Sequence, residues 1–158
     1  MAKYRTLTRE ELTALEKEFI DYLIVNGITA DDWEKLKKET PAKADKIVDL
    51  FSDVVFEDVL RKTEFLEIRT RSHVMTYQCL QEKIVLCGMH GGEAADFTDP
   101  AFLQKALDSP PSDIELFTSE KRYNTVREEE LFLMLSSGHL VSDGKLFKTL
   151  ALVIADQA

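Results

Sequence analysis

Two cysteines, Cys79 and Cys87, are the whole thiol content of the chain. That is too few for a disulfide framework, so the fold must rest on packing and hydrogen bonds. Long apolar runs are missing too. The longest, Leu150-Ala-Leu-Val-Ile-Ala155, falls far short of the ~20 residues that span a bilayer. The opening residues Met1-Ala2-Lys3-Tyr4-Arg5-Thr6 carry no apolar core of a signal peptide, which makes a cytoplasmic location the expectation. Basic tracts are lacking as well. Lys and Arg number 20 against 29 Asp and Glu, for a net charge of −9. The excess is spread along the chain, −4 over residues 1–70 and −5 over residues 71–158. Such a surface repels phosphate backbones and anionic membranes, so neither nucleic acid nor membrane is an expected partner. No Pro/Gly/Ser-rich linker, internal repeat or low-complexity tract interrupts the 158 residues, and one domain spanning 1–158 is expected.

What is present is the material of a globular α+β chain, 44% hydrophobic and 31% charged. Three helices are predicted first. Thr8-x-x-Glu11 forms a capping box, with Leu7 and Leu12 placed as a hydrophobic staple, and Asn26-Gly27 ends the run. Thr29 with Asp32 opens a second, short helix that carries Trp33. Thr40-Pro41 opens a third, because proline at the first helical position loses no hydrogen bond. Its apolar residues cover more than one face, which predicts a central, buried helix.

The period then shifts toward two. Residues 64–70, 73–80 and 83–90 read as strands, the last two joined tightly around Gln81-Glu82. A two-residue loop sets Tyr77 against Leu86, Cys79 against Ile84 and Met75 against Gly88, and puts Cys79 and Cys87 on opposite faces. A helix from Asp99-Pro100 to Leu107 and a strand at 114–118 follow. Thr125-x-x-Glu128 reads as the cap of a helix over 126–137, and Ser142 as the start of the last helix. The predicted fold is α+β: an N-terminal three-helix segment, a small, mainly antiparallel sheet made of a β-hairpin plus flanking strands, and a C-terminal helical hairpin.

Candidate functional residues are few. Asp45, Asp49, Asp53 and Glu57 recur every four residues, so all four carboxylates stack along one stripe of the helix at 41–62. Like charges at that spacing repel, and the stripe calls for a basic partner, a cation, or donors from elsewhere in the fold. The bland alternative is a solvated helix face. Asp49, Asp53 and Glu57 are thus candidate partner-binding residues. Leu152 joins them, because it widens the apolar stripe of the last helix beyond one packing surface, the rest of which is expected to lie on Leu131, Met134 and Leu135.

His73 and His90 face each other across the predicted hairpin and make a candidate metal pair, with Glu93 or Asp96 as possible oxygen ligands; ordinary strand-end histidines are the competing reading. Gly88-Met-His-Gly-Gly92 lacks the Lys-Ser/Thr of a phosphate loop and is followed by acids that would repel phosphate. No nucleophile elbow, His-Glu-x-x-His or clustered cysteine spacing occurs, so no cofactor is expected.

Four stretches carry a resemblance: Ile28-Thr-Ala-Asp-Asp-Trp33, Leu50-Phe-Ser-Asp-Val-Val-Phe-Glu57, Leu66-Glu67 and Lys121-Arg-Tyr123. Together they resemble an uncharacterised family of short bacterial proteins, a domain of unknown function, over nearly the whole chain. The resemblance implies a bacterial source and no activity, cofactor or site. It raises the question whether Phe51-Ser52-Asp53 is a site or a packing element. A small cytoplasmic protein-interaction or regulatory module, with a protein partner or weak homo-oligomer, is the expectation. The alternative is an enzyme or metal-dependent protein using the carboxylates of helix 41–62 or the His73/His90 pair.

Overall fold

Helix signals and alternating strands are both realised in the computed structural model, which describes residues 2–157. The chain forms two compact units, Met1–Arg61 and Lys62–Ala158.

The first unit is helical: α1 (Arg9–Ala14), α2 (Glu16–Val25), α3 (Ala30–Glu39) and α4 (Pro41–Lys62). The predicted capping box at Thr8 forms, and the predicted helix start at Thr29 makes a second one. Thr8 Oγ1 accepts from the Glu11 amide at 3.1 Å while Glu11 accepts from the Thr8 amide at 2.9 Å, and Thr29 and Asp32 repeat the exchange. The first predicted helix is split in two. Leu15 leaves the helical basin at φ −106°, ψ 24°, and α1, with no buried residue of its own, is held by its cap. An aromatic cluster joins three helices: Phe19 meets Trp33 at 5.2 Å and Phe51 at 5.0 Å, and Tyr22 meets Phe51 at 5.3 Å between ring centres. As expected, α4 is the most buried of these four helices, though not on every side. Ala44, Phe51, Ser52 and Leu60 are buried, but Leu50, Val54 and Val59 stay about half exposed.

The second unit is a five-stranded antiparallel sheet in the order β4-β3-β2-β1-β5. The strands are β1 (Phe65–Arg69), β2 (His73–Cys79), β3 (Lys83–His90), β4 (Glu115–Arg122) and β5 (Leu140–Ser142), with helices α5 (Pro100–Asp108), α6 (Arg127–Ser136) and α7 (Lys145–Gln157). The hairpin register is the predicted one, Cys79 opposite Ile84, Tyr77 opposite Leu86 and Met75 opposite Gly88.

Three details at the C-terminal end differ from expectation. Ser142 ends β5 and does not open a helix; β5 pairs with β1, and Gly144 makes the turn into α7. Gly144 has φ +86°, and a Cβ there would lie 2.5 Å from the Phe65 ring, so only glycine fits. Thr125 does not cap α6: Val126 holds the cap position, and the Thr125 hydroxyl donates to Glu129. Finally, α7 does not pack through Leu131, Met134 and Leu135. Phe147 and Leu150 join a core with Phe65, Val74, Cys87 and Met89 of the sheet, and Leu103 of α5. That face of the sheet is apolar as well as the one that bears Tyr77, Cys79, Ile84 and Leu86, and it offers α7 a wider surface than one helix does.

Candidate interaction surface

The acidic stripe of α4 is met by the chain's own N-terminal segment. Asp53 accepts from the Lys3 amide at 2.7 Å and from the Tyr4 amide at 3.4 Å. The Tyr4 hydroxyl donates to Glu57, and the Thr6 hydroxyl donates to Asp49. Between them the Leu7 amide donates to Ser52 Oγ at 2.9 Å, which itself donates to the Val48 carbonyl at 2.7 Å. Glu57 also lies 3.9 Å from Lys3 Nζ and 3.5 Å from Arg61. The segment thus runs along α4 with a donor for each of three carboxylates, and the repulsion within the stripe is offset from inside the fold. Phe51-Ser52-Asp53 is accordingly a packing element: ring to the core, hydroxyl and carboxylate to backbone amides. Arg5 continues the attachment by clamping Glu11 at 2.8 and 2.9 Å, which lowers the Glu11 pKa to about 2. Its guanidinium also lies 4.8 Å from the Phe56 ring.

His73 and His90 do face each other across β2 and β3. Their rings stack with centres 6.4 Å apart, and His73 Nδ1 lies 3.2 Å from Ser72 Oγ. Asp96, an expected third ligand, is bound to Thr98 and Arg71. Among the described residues no three His, Cys, Asp or Glu side chains converge as a metal site requires. Cys79 and Cys87 are buried free thiols. Burial raises both pKa values, that of Cys79 to about 11, so neither is a ready nucleophile.

Sequence reasoning missed Arg127. Its buried guanidinium donates to the carbonyls of Thr63, Cys79 and Leu80. Tyr123 adds a second donor to Leu80 at 2.7 Å, while Lys121 reaches Glu130 at 2.6 Å. The Lys121-Arg-Tyr123 stretch therefore fastens the hairpin end. The only sequence signal was a basic residue at the start of an acidic helix.

What remains open lies between α2 and α4. There a groove of about 500 Å³ has Phe51 and Tyr22 in its lining, with Leu15 and Val25 on one side and Val54, Val55 and Val59 on the other. Val25 is 85% exposed and Val54 52%. Glu18, Asp21 and Asp58 also line it, and no Lys or Arg does. Val54 and Asp58 are shared with a second hollow of about 400 Å³ that adds Asp53, Glu57 and Arg61. Two of the three stripe carboxylates singled out in the sequence thus still border open space. A third hollow, between α2 and α3, mixes Glu16 and Glu34 with Lys37. On α7, Leu152 is 68% exposed, as its surplus position in the apolar stripe predicts.

The fold and this surface define an α+β protein with an acidic, apolar-lined groove on its helical unit. The chain belongs to a family of unknown function, DUF6495, whose model matches residues 1–155. No curated protein and no solved structure matches it. No described helix is long and apolar enough to cross a membrane.

Proposed function

We propose that the protein is a bacterial, cytoplasmic protein-interaction module that docks one partner protein in the groove between α2 and α4. The observation that carries this reading is the exposure of Val25, Val54 and Val59 around a concave, partly aromatic surface. Apolar side chains clustered in a groove mark interaction sites more often than scattered ones do. Asp53 and Glu57 supply a polar border beside it. Leu152 offers a second, smaller contact for weak self-association.

A photo-crosslinking residue placed at 25 or 54 in the native host tests the reading. One dominant cross-linked partner, absent when the same group sits at Gln104 on the exposed face of α5, is the expected result. Equal cross-linking at all three positions, or none, would overturn it.

A further inference from the structure

We infer that the segment docked in the α2/α4 groove is a basic amphipathic helix of about three turns. The inference rests on the groove being the docking site, and it adds the chemistry of what docks.

Length sets the first constraint. Leu15 and Val25 are ten residues apart on one side of the groove, which at 1.5 Å per residue is about 15 Å, the rise of ~10 helical residues. A helix laid there presents apolar side chains at i, i+3 or i+4, and i+7 to the exposed Val25, Val54 and Val59.

Charge sets the second. Glu18 and Asp21 stand on one wall and Asp58 on the other. The adjoining hollow adds Arg61 beside Asp53 and Glu57, which the N-terminal segment already meets, so the acidic character is that of the groove itself. A docked helix flanked on both sides by Lys or Arg meets carboxylates on both walls, and one flanked by Glu is repelled from both. The hollow between α2 and α3 makes the contrast, since Lys37 stands there with Glu16 and Glu34 and no single sign is favoured.

A second copy of the chain fits less well. The exposed face of α7 carries Lys145 and Lys148 but one large apolar residue, Leu152, too little to fill a three-turn groove. Each copy also brings a net charge of −9. An anionic membrane is repelled by the same carboxylates.

The test uses the full chain and three labelled 14-residue helical peptides with one Leu/Ala stripe and flanks of Lys, Gln or Glu. Fluorescence anisotropy should give a dissociation constant for the Lys peptide at least about tenfold below that of the Gln peptide, and weakening as salt is raised. Val25→Ser with Val54→Ser leaves the charge unchanged and should weaken the Lys peptide about fivefold or more. Glu18→Lys with Asp21→Lys, both exposed positions, should reverse the preference toward the Glu peptide. Circular dichroism checks that each variant is folded. The inference is overturned if the Lys peptide binds no better than the Gln peptide. Binding indifferent to the valine and charge variants overturns it too, being general attraction to an acidic surface. So does a groove filled by self-association, seen as peptide binding that appears only on dilution. The outcomes separate from those of the cross-linking experiment. A partner captured at positions 25 and 54 whose docking segment is acidic or uncharged would end this inference and leave the docking site standing.

Discussion

Buried Arg127 shows what a single side chain contributes. Three carbonyls accept from one guanidinium at the end of the β2–β3 hairpin, and each loses that donor when the head group is removed, Leu80 keeping the Tyr123 hydroxyl. Arg127→Met keeps much of the stem's packing while removing those three hydrogen bonds, and should cost at least about 2 kcal/mol of stability in urea unfolding. An unchanged midpoint would mean water replaces the guanidinium without loss. Glu11 gives a residue-scale pH signature. Hydrogen bonds from Arg5 first, and then from the Thr8 amide, hold its folded pKa at about 2 against an ordinary 4.5. Because the folded value is the lower one, this contribution is complete above pH 4.5 and is lost as pH falls through 2. Carboxyl NMR should show Glu11 titrating near 2, and Arg5→Ala should move it upward while the Thr8 amide keeps it below 4.5. A wild-type midpoint at 4.5 would rule out the clamp.

At the level of elements, local signals were legible and long-range ones were not. Thr8 and Thr29 announced their helix starts because a cap is closed within four residues. The hairpin register followed from a period of two and a two-residue loop, which fixes every pair from Cys79–Ile84 to His73–His90. β5 escaped notice: three residues pair with a strand more than seventy positions earlier, and nothing local marks them. The placement of α7 on the sheet escaped for the same reason, since an apolar stripe says that a helix is covered and not by what. The acidic stripe was half legible. Spacing showed that its carboxylates need donors, but those donors, in residues 3–7, lie over forty positions away. Asp53→Ala removes the acceptor for the Lys3 and Tyr4 amides. It should speed hydrogen exchange at both about tenfold or more, while global stability falls by only about 1 kcal/mol. Exchange left unchanged would show that Asp53 is not what holds the segment to α4.

On the scale of the molecule, the two units carry different loads. The sheet unit has both faces apolar, and its side chains Val74, Met89 and Leu66 are fully buried. The helical unit supplies its own donors to Asp49, Asp53 and Glu57 yet leaves Val25, Val54 and Val59 in the open. The sequence did not signal this, since apolar residues on more than one face of the helix at 41–62 read there as burial. Leu152, 68% exposed, should tolerate Leu152→Glu with little change in melting temperature, and sedimentation of concentrated samples should show less association than wild type. A much lower melting temperature would mean that Leu152 is part of the core.

The docking groove is tested most directly by thiol accessibility, because Cys79 and Cys87 are buried, with pKa values raised by burial, and give little background. Val25→Cys and Val54→Cys should react with maleimide at rates near that of a free thiol in the purified protein. In host extract both should be protected at least about fivefold, and Gln104→Cys should react equally in both settings. Equal rates at all three positions in extract and in buffer would contradict a partner in the groove.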